Sequence, residues 1–205
     1  MPTQKFINLG EGKKKAILTA MCREFMNIPY SEIRISSLIQ KAGISRASFY
    51  LYFEDKEDLL ACIVDSWVDA VLKHIAEAFR KADGSYYNGM KRWMTEFLED
   101  DICRDCWKLY RRVMEDDQSC QKAKMINLQV NESLRWKRAI DDCYSCMDLL
   151  LYPGLTPEKL AYAVEMGVLA MAQLSMRYVE NYAPLEELKE ATWHQLTILD
   201  KGIRA

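Results

Sequence analysis

Apolar positions recur with helical period along nearly the whole chain, and strand-like alternation is almost absent. Ile17, Leu18, Met21, Cys22 and Phe25 share one face and predict a helix from about Lys13 to Met26, which Pro29 closes. Ile35, Leu38 and Ile39 predict a short helix from about Ile35 to Ala42. Gly43, suited to the left-handed position that stops a helix, ends it. Ser45 is placed to cap the next helix, about Arg46 to Leu51. Asp55 then caps a long helix from about Lys56 to Arg80, with Leu60, Ile63, Val64, Trp67, Val71, Ile75 and Phe79 as its inward stripe. Past the turn Asp83-Gly84-Ser85, helices are expected over Tyr86–Asp100, Arg104–Glu115 and Ser119–Leu150. Thr156 caps a helix with Pro157 at its first position, expected to reach Asn181, and Pro184 opens the last one, to about Ile203. The pattern predicts an all-α chain: a small three-helix domain over residues 1–55, and a bundle of about six helices over residues 56–205.

Charge sharpens this division. The net charge is −2, but residues 1–53 carry eight Lys/Arg against three Asp/Glu, so a basic module precedes an acidic body. Such a distribution suits a protein in which only the small module meets a polyanion. Two short helices joined at Gly43 also form a helix-turn-helix pattern, the second helix being the one that enters a DNA groove. Its leading edge would be Ser45, Arg46, Ala47 and Ser48. Arg46 offers two donors to a guanine edge, and Ala47 permits close approach or a thymine-methyl contact. Ser45 and Ser48 suit phosphate or a base edge, and Tyr50 and Tyr52 carry hydroxyls that suit phosphate. Phe49 and Phe53 are read as core. Lys13, Lys14 and Lys15 oppose the dipole of the first helix, which suits either nearby phosphate or a solvated cluster.

The longer string is more specific. Ile17, Leu18 and Phe25, then Leu38-Ile39, Ala42-Gly43-Ile44-Ser45, Phe49-Tyr50, Tyr52-Phe53, Lys56 and Leu59-Leu60 together resemble the N-terminal signature of the TetR/AcrR family of transcriptional regulators. The resemblance covers roughly the first 60 residues. It implies a two-domain, all-helical dimer that docks its recognition helix in the major groove of palindromic operator DNA. It points to Tyr50 and Lys56 as phosphate contacts. Arg34 stands where the family usually has Thr or Ser, which weakens that cap but adds a cation where relatives often touch phosphate.

For the body, the resemblance implies a small-molecule effector held between the central helices. The aromatic and sulfur side chains Trp67, Trp93, Phe97, Trp107, Tyr110, Trp136, Tyr144, Met147, Tyr162 and Met166 are candidate lining for a hydrophobic ligand, or simply core. A homodimer interface is expected on the last two helices, with Val164, Val168, Met171, Leu188, Leu196 and Leu199 as candidates, although part of that face must pack on its own body. Gly167 and Ala170 would allow close helix packing. Two CxxC pairs, Cys103/Cys106 and Cys143/Cys146, could chelate a metal, act as thiols or pack, with Cys120 between them.

Seven cysteines with no export-like leader argue for reduced thiols, and no apolar run reaches the roughly 18 residues that span a bilayer. A soluble, cytoplasmic protein with no membrane partner and no cofactor is expected. His74 and His194 are the only histidines, and neither lies in a hydrolytic or phosphate-loop context, so enzymatic chemistry is not expected. Two functional readings remain. One is a ligand-responsive regulator, a repressor in the usual case. The other is a helix-turn-helix protein controlled by a protein partner or by metal or thiol chemistry, including an activator.

Overall fold

In a computed structural model, the structure describes residues 2–99 and 129–204. These fall into two compact units, residues 2–68 with 129 and 130, and residues 69–99 with 131–204. Every regular element among the described residues is helical, and no helix there is long and apolar enough to cross a membrane.

The first unit is built from α1 (Gln4–Ile7), α2 (Glu11–Asn27), α3 (Ile35–Ala42), α4 (Arg46–Tyr52) and the first part of α5 (Lys56–Arg80). Ile17, Met21 and Phe25 of α2, Leu38 of α3, Phe49 and Phe53 around α4, and Leu59 and Leu60 of α5 are all buried and form its core. A polar bridge crosses this core, where the Ser37 hydroxyl donates to Oε1 of Glu24, itself buried. The start of α5 is fixed by a reciprocal cap: Asp58 N–H donates to Asp55 Oδ1 at 2.7 Å, and Glu54 N–H to Asp58 Oδ2 at 3.4 Å. The first unit reaches Val68 because the opening turns of α5 bury Leu59, Leu60, Ile63 and Val64 within it.

The second unit holds the rest of α5, α6 (Tyr86–Glu99), α7 (Leu134–Ser145), α8 (Pro157–Val179) and α9 (Leu185–Arg204). Exposed ion pairs tie α5 to α7, Asp69 to Arg135 at 2.9 Å and Arg80 to Asp142 at 3.0 Å. The deeper tie is a buried polar chain. Tyr152 accepts the Tyr86 backbone N–H at 3.0 Å and donates its hydroxyl to Asp200 at 2.5 Å. Arg204 Nε donates to the other oxygen of Asp200 at 2.8 Å, and the Tyr86 hydroxyl donates to the Ala163 carbonyl at 2.6 Å. The start of α6, the loop before α8, α8 itself and the end of α9 are thereby bonded together. Burial, and then the Asp200 carboxylate, push both phenols above their ordinary pKa.

Two expectations are corrected. The chain forms α1 ahead of the predicted first helix, with Phe6 buried and the adjacent Ile7 left exposed. The long helix expected over Ser119–Leu150 is not continuous in its described part. Residues Val130–Glu132 form a 3-10 turn, and Ser133 caps α7 by accepting the Trp136 N–H at 3.2 Å. At its other end α7 stops at Ser145, because Asp148 N–H donates to the Gly84 carbonyl at 3.1 Å. Gly84 has φ +74°, and a Cβ there would lie 2.6 Å from Asp148 Cβ, so this close approach requires glycine. The helix expected over Arg104–Glu115 lies outside the described residues.

Replacing Tyr152 with Phe strips the acceptor from the buried Tyr86 N–H and one donor from Asp200. The Tyr152→Phe variant is therefore expected to lose about 1–3 kcal/mol, read as a lower urea midpoint by circular dichroism. An unchanged midpoint would show that the chain contributes no net stability.

Candidate functional site

The site is set by how α3 stops and α4 starts. Gly43 takes φ +62°, and the Ile44 N–H turns back to the Ile39 carbonyl at 3.1 Å. This left-handed step reverses the chain within three residues, as glycine readily allows. Ser45 is extended and accepts the Ser48 N–H on its hydroxyl at 3.0 Å, which starts α4. Phe49 is fully buried and fixes which side of α4 faces inward. The opposite side presents Arg46, Ala47, Tyr50 and Leu51, all exposed. The Arg46 guanidinium lies 5.6 Å from the centre of the Tyr50 ring, and its Nη2 reaches the Tyr50 hydroxyl at 3.4 Å. The contact orients the guanidinium while engaging one of its five N–H donors.

The expected DNA-binding residues separate into three groups. Ser45, Arg46, Ala47 and Tyr50 stand exposed on or beside the first turns of α4, with Ser48 half-buried against the Ser45 hydroxyl at 2.9 Å. Arg34 is exposed and extended immediately before α3, and its side chain makes no cap. Tyr52 and Lys56 are engaged within the unit. The Tyr52 ring packs on Phe6 at 5.7 Å and on Phe53 at 6.4 Å. Lys56 donates to the carbonyls of Tyr30 at 2.8 Å and Ile33 at 3.2 Å, and sits 4.3 Å from the centre of the Tyr30 ring. A lysine has three donors, so this ammonium acts first as a clamp between α5 and the turn before α3. Leu51 is 46% exposed on the same side of α4 as Arg46 and Tyr50, and no signal in the sequence pattern singles it out.

Residues 17–63 match the family model described as "Bacterial regulatory proteins, tetR family". Over this stretch the chain has the TetR-family helix-turn-helix module. The TetR match spans the described α2–α4 and the opening turns of α5. Among curated TetR-like relatives, the Bacillus subtilis HTH-type regulator YdgC is 33% identical over 64 residues, 31% of this chain and 33% of its own. The Mycobacterium tuberculosis HTH-type transcriptional regulator EthR is 32% identical over 93 residues, 44% of this chain and 42% of its own. The chain thus spans less than half the length of the curated relatives it matches. A Syntrophomonas wolfei protein assigned to the TetR family superposes with a TM-score of 0.67 at 17% identity, covering 94% of this chain and 97% of that one. A Mesorhizobium loti protein assigned likewise gives 0.66 at 18%, covering 92% and 95%. At such identities the likeness is one of fold.

The candidate lining residues also divide. Trp93, Phe97, Trp136 and Met147 are buried, and Tyr144 is half-buried with its hydroxyl on the Leu155 carbonyl at 3.2 Å. Trp67 belongs to the first unit, and Trp107 and Tyr110 lie outside the described residues. Tyr162 and Met166 do not line an interior: they are 66% and 51% exposed on the outer side of α8. The dimer candidates lie mostly inward. Val164, Met171, Leu188 and Leu196 are buried within the chain, and Val168 and Leu199 are half-buried. Gly167 accounts for this, since a Cβ there would strike Met90 and lie 3.1 Å from the Tyr86 hydroxyl. The small residue lets α8 approach its own α6, so the stripe read as intersubunit is the inner face.

The first CxxC pair and Cys120 lie outside the described residues. In the second pair, Cys143 is fully buried, whereas the half-exposed Cys146 donates its thiol to the Asp142 carbonyl at 3.2 Å. Among the described residues, no three His, Cys, Asp or Glu side chains gather as a metal site. Burial, and then Asp65, push the Cys62 thiol up to about 11; burial, and then Cys146, push Cys143 up to about 12. A folded pKa raised above the unfolded value means that the neutral thiols stabilise the fold below about pH 8.5. That contribution is lost as pH rises toward these folded values. Stability should therefore decline above about pH 8.5, and less steeply in Cys143→Ala, read from urea midpoints. At pH 8, brief alkylation mapped by peptide mass spectrometry should label Cys146 and Cys22 and spare Cys143 and Cys62. Equal labelling of Cys143 would contradict the buried-thiol assignment.

Proposed function

We propose that this TetR-family protein is a cytoplasmic, dimeric repressor that binds palindromic operator DNA through α4 and is released by a small hydrophobic ligand. The observation that carries the DNA-reading part is the exposed face of α4. A helix started by a serine cap behind a left-handed glycine turn presents a guanidinium stacked on a tyrosine, in a module with a marked excess of cations. Arg46 reads a guanine edge, Ala47 and Leu51 meet apolar base or sugar surface, and Tyr50 carries its hydroxyl to phosphate. Ser45, Ser48 and Arg34 add phosphate contacts. The clamp on Lys56 leaves it a single further donor for phosphate, so its main effect on binding runs through the position of α3.

A second copy of this chain is the occupant proposed for the outer face of α8. Tyr162, Met166, Leu169 and Met176 follow one another at helical spacing and are 45–66% exposed, and Ile198 on α9 is 70% exposed. A palindromic site read by two recognition helices calls for a two-fold partner. For the effector, Trp93 Nε1 and Ser175 Oγ are buried without a hydrogen-bond partner among the described residues. Unpaired buried polar atoms are costly, and a ligand acceptor or hydroxyl would satisfy them.

Affinity for DNA taken from around the protein's own gene should fall steeply with salt, as counterion release requires. Arg46→Ala should reduce discrimination between operator and unrelated DNA by about 1–3 kcal/mol, measured by competition in fluorescence anisotropy. If wild-type protein shows no preference among DNA sequences, the repressor reading is lost. The double variant Leu169→Glu/Ile198→Glu should sediment as a monomer that keeps its helical spectrum. Persistence of the dimer would move the interface elsewhere.

A further inference from the structure

Helix α4 has seven residues, well short of the length at which a helix sustains itself in water. Its first turn is held by Ser45. Its last turn is held by residues far away in sequence. The Phe53 N–H takes the Phe49 carbonyl at 2.8 Å, leaving the carbonyls of Leu51 and Tyr52 without a partner in the helix. Thr3 supplies both: its hydroxyl donates to Leu51 O at 2.5 Å, and its N–H donates to Tyr52 O at 2.9 Å. The carbonyl of the same residue starts α1, accepting the N–H groups of Phe6 at 3.0 Å and Ile7 at 3.1 Å. Phe6, 3% exposed, then places its ring 4.7 Å from Phe53 and 5.7 Å from Tyr52. All of these bracing groups precede residues 17–63, the stretch matched by the family model.

We infer that residues 2–9 brace the recognition helix, with Thr3 and Phe6 as positioning residues for DNA reading by Arg46 and Tyr50. The inference rests on the DNA-reading role proposed above. Fraying of the last turn of α4 would free the backbone at Tyr50, and with it the ring on which the Arg46 guanidinium is stacked. The brace thus acts on base reading through the helix end, without touching DNA itself.

The test uses the full chain. Thr3 already has φ −71°, within the range proline imposes. Thr3→Pro therefore removes both donors without changing φ, and its ring also pushes on the Tyr52 carbonyl that the N–H faced, so Thr3→Val isolates the loss of a hydrogen bond from that steric effect. Amide hydrogen exchange at residues 50–53 should quicken by about tenfold, the loss of one or two hydrogen bonds, with exchange in α2 unchanged. Discrimination between operator and scrambled DNA should fall by a similar factor. Thr3→Val, which removes only the hydroxyl, should give a smaller change in both, and Phe6→Leu should retain more discrimination than Phe6→Ala. Unchanged exchange at residues 50–53 in Thr3→Pro would overturn the brace, as would a uniform rise across α2, α3 and α4. If exchange quickens as expected but wild-type protein has no DNA preference, the brace stands and the DNA-reading role falls.

Discussion

A seven-residue helix cannot hold its own shape in water, and most of the first unit is arranged around that constraint. Ser45 closes one end of α4 and Thr3 the other. Phe49 and Phe53, both fully buried, lock the inner face. Gly43 sets the angle at which the helix leaves α3, and Glu24 and Lys56 in turn fix α3 and the turn before it. None of these contacts is large; a cap or a single hydrogen bond is worth about 1 kcal/mol. Together they leave the outward face of α4 free of structural duties, which is why Arg46, Ala47, Tyr50 and Leu51 stand exposed there.

Lys56 illustrates how position and chemistry part company. Its place at the start of α5 is what the resemblance predicts, yet its ammonium is occupied by the Tyr30 and Ile33 carbonyls and the Tyr30 ring. A cation at a helix N-terminus is opposed by the helix dipole. Here two carbonyls and a ring face offset that opposition, with Glu57 and Asp58 in the same turn. Charge, read from sequence alone, says where a phosphate would be welcome and nothing about what already holds the side chain.

Local signals were the legible part of the sequence. The boundaries of α3 and α5 were readable because glycine, serine and aspartate caps mark them, and Thr156-Pro157 marked the start of α8 in the same way. The exposed Arg46 and Tyr50 followed from the motif. What could not be read depended on partners distant in sequence. Nothing near Thr3 or Phe6 announces that both pack against residues 51–53. Nothing near Asp148 announces that it meets Gly84 and stops α7, so an apolar period that continued past Ser145 was extended too far. The chain from Tyr86 through Tyr152 to Asp200 joins segments far apart, so no local spacing connects its residues.

The two faces of α8 show the same limit more sharply. Both carry apolar residues at helical spacing, so periodicity alone does not say which turns inward. The side that turns inward carries Gly167, which the Met90 side chain and the Tyr86 hydroxyl approach closely. Once that face is against α6, Val164, Met171 and Leu174 are buried with it, and Tyr162, Met166, Leu169 and Met176 are left outward. Exposed apolar side chains in a row on one helix carry a solvation cost that scattered ones do not. The packing that seats the helix on its own body therefore also leaves the residues offered to a second copy, and the proposed dimer follows from intrachain packing.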